Sequence, residues 1–248
     1  RRVGKTTLVA ETFKGEFAFR HAGLSPVERR GRGTMAEQLR HFQHSLQSFG
    51  LKDAPRPSSW LEAFYLLERL LEQKDDESRQ IVFIDELPWM DTPRSGFVTA
   101  LEGFWNSWAC YRSNLMLIVC GSASSWILDQ LISDRGGLYG RVTCEIRLAP
   151  FTLSECEQLL KANDVRFSRY DIVQSYMIFG GVPFYLDALD ASLSLAQNVD
   201  RLLFEGHAPL RDEYDRLFAS AFSNPKAMKE IVALLYTRRG GYTRKEIS

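Results

Sequence analysis

Arg1-Arg2-Val3-Gly4-Lys5-Thr6-Thr7 is the stretch that decides the fold. It carries the back half of a phosphate-binding loop, whose full pattern is Gly, four free positions, then Gly-Lys-Ser/Thr. Gly4, Lys5 and Thr6 supply the end of that pattern, with Val3 and Thr7 on either side. The residue types follow from the chemistry. A glycine lets backbone N–H groups curl around phosphate oxygens, and a lysine ammonium reaches the β- and γ-phosphates. A threonine hydroxyl ligates Mg²⁺ where the following helix presents its positive end. Gly-Lys-Thr alone recurs by chance in many proteins, so the rest of the chain has to support it.

Ile81-Val82-Phe83-Ile84-Asp85-Glu86 supplies that support. A short, continuous apolar run rich in β-branched residues reads as a strand buried on both faces, as in a parallel sheet. Asp85 then emerges at the strand's carboxyl end, the edge where open α/β sheets bind ligands. One carboxylate there can hold the Mg²⁺ shell, and its neighbour can accept a proton from an attacking water. Taken without the loop, the same pair reads as a solvated acidic turn.

Composition narrows the classes. The chain has 248 residues, 45% hydrophobic and 25% charged, enough for one large domain or two smaller ones with real cores. A formal net charge of +0 gives no bulk electrostatic case for nucleic acid, so any such binding needs a local patch. Arg29, Arg30, Arg32 and Arg40 form one basic cluster, which reads as a solvated loop or as phosphate contacts. Cys110, Cys120, Cys144 and Cys156 lack the close pairing of zinc ligands and read as reduced core thiols of a cytoplasmic protein. His21, His41, His44 and His207 are scattered, with no carboxylate or cysteine at ligand spacing. No apolar run reaches transmembrane length, which excludes a membrane-spanning helix.

Strand and helix patterns alternate up to Pro150. A helix is expected from Thr6 to about Lys14, a strand over Glu16–His21, and a helix over Met35–Phe49. Ser59-Trp60-Leu61-Glu62 is a capping-box signature for a helix whose apolar face includes Leu61, Phe64, Tyr65 and Leu71. Further helices are expected over Phe97–Trp108 and Ser125–Ile132, and strands over Leu115–Cys120 and Cys144–Leu148. Alternation of this kind implies a parallel, doubly wound α/β sheet. After Pro150 only helical patterns remain, broken at Gly180-Gly181-Val182-Pro183. Thr243-Arg244-Lys245-Glu246, following two glycines, looks like the opening of another helix.

These residues resemble the prokaryotic P-loop ATPases of the AAA+-related STAND class, and within it the archaeal-type ATPase family. The matching segments are Arg1–Thr7, Ile81–Trp89, Val119–Ser122, Leu138–Arg141 with Leu148–Phe151, and Gly180–Leu186. The resemblance implies an AAA+-like P-loop core over 1–149, with a parallel sheet flanked by helices. It further implies a helical lid over 150–222 and the beginning of a winged helix-turn-helix over 223–248. Ser122 falls where the class places a polar γ-phosphate sensor, although a helix-capping serine is an equally good reading. Arg141 falls where relatives carry an arginine finger acting in trans, which would make the protein a homo-oligomer; a surface arginine paired with a local acid is the alternative. Pro183 resembles the adenine-side contact of the lid, or else a plain helix-breaking turn. Family members also have a strand directly before the phosphate loop. Its absence here implies a fragment truncated at both ends, with an open sheet edge, a gap in the core and weak nucleotide binding on its own.

The function implied is a cytoplasmic, slowly hydrolysing switch ATPase using ATP and Mg²⁺. Lys5 and Thr6 hold phosphate and metal, Asp85 orders the metal, and Glu86 polarises the water. Two alternatives stay open: a nucleotide-gated scaffold without meaningful turnover, and a DNA-associated regulator or effector partner acting through the C-terminal region.

Overall fold

The computed structural model describes residues 2–25, 34–121, 124–127, 131, 137–222, 224–238, 240–243 and 246. Residues 3–148 form one compact unit and residues 149–248 a second.

The first unit is built on three parallel strands, β1 (Phe17–Ala22), β2 (Gln80–Asp85) and β3 (Leu115–Val119), in the order β1-β2-β3. Every residue of β2 is buried, as its unbroken apolar run requires of a strand covered on both faces. Ala22 lies opposite Asp85 and Ile84 opposite Val119, so all three carboxyl ends meet at the edge that carries Asp85. Helices α1 (Lys5–Thr12), α2 (Met35–Ser48), α3 (Trp60–Gln73), α4 (Phe97–Ser107) and the short α5 (Ser124–Ile127) complete the unit.

Local sequence explains where these helices start and which way they face. A reciprocal capping box between Thr34 and Glu37 opens α2. At α3 the Ser59 hydroxyl accepts from the Glu62 N–H, while Glu62 reaches the N–H of Ser58 at 2.7 Å. The buried stripe of α3 runs through Trp60, Phe64, Leu67 and Leu71. Leu61 and Tyr65, expected on that stripe, are 63% and 60% exposed. One residue further along a helix is a turn of about 100° around it, which carries both side chains off the core face. Aromatic rings fasten α2, α3 and α4 together: Phe42 meets Trp60 at 5.6 Å, Trp60 meets Phe97 at 4.9 Å and Phe64 meets Phe104 at 5.3 Å. Pairs of this kind contribute about 0.5–1.5 kcal/mol each beyond their buried area.

The outer edge of β3 pairs with no strand among the described residues. Residues Cys144–Leu148, expected as a strand, form no ladder, and all but Leu148 are exposed. Among the described residues they have no strand in register to pair with. An apolar cleft of about 600 Å³ lies in this region, walled by β3, by Leu8, Val9 and Phe13 of the α1 segment, and by Val142 and Ile146. Cys110 and Cys144 are exposed, which corrects their reading as core thiols; Cys156 is buried and Cys120 half-buried.

The second unit is helical among its described residues: α6 (Leu153–Ala162), α7 (Arg169–Phe179), α8 (Pro183–Leu186), α9 (Leu195–Val199), a π-helical turn over Asp200–Phe204, α10 (Glu213–Ala221) and α11 (Pro225–Tyr236). Its core gathers Cys156, Leu160, Phe179, Leu186 and Leu202. Capping boxes Thr152/Glu155, Ser168/Asp171 and Ser194/Gln197 start α6, α7 and α9. Gly180 ends α7 with φ 63° and ψ −169°, a region open essentially to glycine alone. Beyond α11, Thr243 donates from both its N–H and its hydroxyl to Glu246, the cap its spacing suggests. The described residues of 223–248 comprise α11 and this cap. No helix among the described residues is long and apolar enough to cross a membrane.

Candidate nucleotide-binding site

Gly4 precedes α1 in the left-handed region, at φ 88° and ψ 17°, and turns the chain into the helix. The N–H of Leu8 bonds the Gly4 carbonyl at 2.8 Å, making it the first amide of the helix with an intrahelical partner. The amides of Lys5, Thr6 and Thr7 come before it, and the helix's positive end lies there, an arrangement that receives anions. Val3, 8% exposed, anchors the loop. Lys5 is half-buried and lines the cleft beside β3.

Asp85 is the centre of the arrangement. It is 7% exposed at the end of β2, and each of its oxygens has a donor. Oδ2 accepts from the Thr6 hydroxyl at 2.5 Å. Oδ1 accepts from the Glu86 N–H at 2.8 Å and from the thiol of Cys120. Burial, followed by that bond and the Asp85 charge, pushes the Cys120 thiol up to about 12, so it stays protonated and donates. A hydroxyl and a carboxylate side by side are hard oxygen donors that suit Mg²⁺.

Glu86 adopts φ 47°, a left-handed conformation that is costly for a side-chain-bearing residue and turns the chain sharply away from β2. Neighbouring strands hold this turn. The Gly23 N–H donates to the Asp85 carbonyl at 3.0 Å from beyond β1, and the Leu87 N–H donates to the Cys120 carbonyl at 2.9 Å beyond β3. Buried Gln38 on α2 adds a third tie. Its Nε2 donates to the carbonyls of Trp89 and Leu24, both at 2.9 Å, and its Oε1 accepts from the Leu24 N–H at 3.0 Å. None of Gly23, Gln38 and Cys120 stood out as a site residue in the sequence. Gln38 had a usable signal, because it is a polar residue beside the apolar positions Leu39 and Phe42 of α2.

The remaining expected residues divide by location. Arg141 is exposed and lines the same cleft as Lys5. Thr7 is exposed in the first turn of α1. Pro183 opens α8 in the second unit, and Lys5, Thr6, Asp85 and Glu86 belong to the first. Ser122 lies outside the described residues, as do Arg29, Arg30 and Arg32 of the basic cluster. The histidines are less scattered than their spacing suggests. The His21 and His41 rings lie 4.9 Å apart, and burial, with His41 close by, lowers His21 to about 3.

No protein-family model matches the chain. In sequence it is 22% identical over 232 residues to the uncharacterized protein MJECL04 of Methanocaldococcus jannaschii, covering 94% of this chain and 47% of that protein. The chain thus spans about half the length of the curated relative it matches. In structure it is similar to the Walker-type ATPase PABY2304 of Pyrococcus abyssi, with a TM-score of 0.64 and 20% identity over 95% of this chain and 73% of that one. The likeness is one of fold: the chain shares the α/β architecture of that protein.

Proposed function

We propose that the protein binds ATP with Mg²⁺ and hydrolyses it slowly, as a cytoplasmic nucleotide-operated switch. The observation that carries this reading is the direct bond from Thr6, in the phosphate loop, to Asp85, at the end of the central strand. It brings together the two sequence motifs, far apart in the chain, from which the proposed phosphate and metal site is built. The first-turn amides of α1 and the Lys5 ammonium receive the phosphates, and Thr6 with Asp85 hold the cation. Bound Mg²⁺ offsets the charge on the β- and γ-oxygens. Glu86, on the fixed turn after Asp85, accepts the proton of the water that attacks the γ-phosphorus as the bond to the ADP oxygen breaks. The slow rate rests on the resemblance to switch ATPases.

Two substitutions in the intact protein test the reading. Lys5→Ala should abolish binding of a fluorescent ATP analogue. Glu86→Gln should retain binding and lose turnover by about 10²-fold or more, the usual scale for a general base. Undiminished hydrolysis by Glu86→Gln removes the base assignment.

Arg141 is proposed to act on the nucleotide of a neighbouring copy. Mixing Lys5→Ala protein with Arg141→Ala protein should then restore turnover that neither has alone; failure to restore it places the arginine in its own site or outside catalysis.

A further inference from the structure

The reading above leaves Cys120 unused, and the inference here rests on that reading and extends it. Cys120 directly follows β3 and its backbone is pinned on both sides. Its N–H donates to the Ile84 carbonyl at 3.0 Å, and its carbonyl accepts from the Leu87 N–H at 2.9 Å. The parallel register sets Val119 opposite Ile84, so Cys120 comes level with Asp85. From there its thiol reaches Oδ1 of Asp85 while the Thr6 hydroxyl holds Oδ2.

This matters because the terminal torsion of an aspartate is soft and broad. Packing around the Asp85 methylene does not fix the plane of its carboxylate; the surrounding donors do. The Glu86 N–H, from the adjacent residue, constrains that plane from one direction only. The Cys120 thiol, from the end of the neighbouring strand, holds the oxygen that Thr6 does not. An apolar side chain of the same size would fill the space at the end of β3 equally well but would leave Oδ1 short of a donor.

We propose that Cys120 is a positioning residue whose thiol fixes the plane of the Asp85 carboxylate, so that Asp85 and Thr6 present a ready-made oxygen site to the cation of the nucleotide.

The test uses Cys120→Ser, Cys120→Ala and Cys120→Val in the intact protein, with two readouts. The first is the Mg²⁺ concentration giving half-maximal binding of a fluorescent ATP analogue, alongside its affinity without Mg²⁺. Ala and Val should raise that concentration by about fivefold, the scale of one weak donor to a charged acceptor, while Ser stays within about twofold of wild type. Affinity without Mg²⁺ should not change. A packing role gives the reverse order, with Val tolerated and Ser worst, and that order overturns the proposal. So does a Cys120→Ala protein with wild-type Mg²⁺ dependence. The second readout needs no nucleotide. The infrared S–H band lost in Cys120→Ser should move to higher frequency in Asp85→Asn, as its charged acceptor disappears. If wild type binds no nucleotide, the functional reading falls. The S–H band then decides the positioning claim alone, and an unmoved band ends it.

Discussion

The hydroxyl of Thr6 donates to Oδ2 of Asp85 at 2.5 Å, so one side-chain bond joins residues 79 apart in sequence. It links the first turn of α1 to the end of β2. Removing the hydroxyl should therefore act on metal-dependent binding. Thr6→Val should raise the Mg²⁺ requirement for ATP binding by about tenfold, as expected for a lost bond to a charged group, whereas Thr6→Ser keeps it. The bond is made without nucleotide and its acceptor is buried, so Thr6→Val should also lower the thermal midpoint by a few degrees, roughly the effect of losing one bond to a charged group. Isothermal titration with and without Mg²⁺ checks the first expectation and a thermal melt the second.

The turn carrying Glu86 is bounded by two glycines. A Cβ at Gly121 would lie 2.5 Å from Cδ of Pro88, and one at Gly23 would lie 2.8 Å from the Glu86 carbonyl oxygen. Gly121→Ala and Gly23→Ala should each shift the turn, costing about 1–3 kcal/mol of stability in denaturant melts. Turnover should fall further than ATP binding does, because binding depends on α1 and turnover on Glu86. Equal losses in both would count against the base assignment.

His21 makes the first unit sensitive to acid. Its Nδ1 lies 2.9 Å from the Ser45 hydroxyl, it is buried, and its folded pKa of about 3 lies below the ordinary value of 6.5. Above 6.5 the ring is neutral whether the chain is folded or not, so it contributes no pH dependence there. Between 6.5 and 3 the unfolded chain takes up a proton that the folded chain refuses, and stability drops by up to about 1.4 kcal/mol per pH unit. Urea melts from pH 7 to pH 4.5 should show this slope, and His21→Phe should flatten it.

In the second unit Gly181 leaves no room for a side chain. Its Cβ would lie 1.8 Å from the Phe151 carbonyl oxygen, and its own carbonyl accepts from the Phe151 N–H at 2.6 Å. Gly181→Ala should destabilise this unit by about 3 kcal/mol, at the upper end for overpacking, because the clash is with backbone that has no rotamer to change. Hydrogen exchange should show α6 and α7 losing protection while α3 and α4 keep theirs.

The strands and helices of the first unit were legible wherever one period ran unbroken. The apolar run Ile81–Ile84 read as a doubly covered strand and is one, and the phosphate-loop pattern and the acidic strand end lie together through the Thr6–Asp85 bond. Cys144–Leu148 has the composition of a strand, yet a strand exists only with a bonded neighbour, and composition says nothing of neighbours. Leu61 and Tyr65 were misplaced because an apolar residue next to a stripe looks, in sequence, like part of it. Gly23 and Cys120 were hidden for a different reason. Their roles depend on which backbone atoms of distant segments come within reach, and that is a property of the folded chain.

Helix α1 contains no buried residue, and Leu8 on it is 46% exposed. The helix proposed to grip phosphate is therefore lightly packed, with the Thr6–Asp85 bond tying its first turn to the sheet. Its tightening would then be the act of ligand capture itself: amides of residues 8–12 exchanging quickly in the empty protein and slowly once nucleotide arrives, with the rest of the sheet scarcely changed.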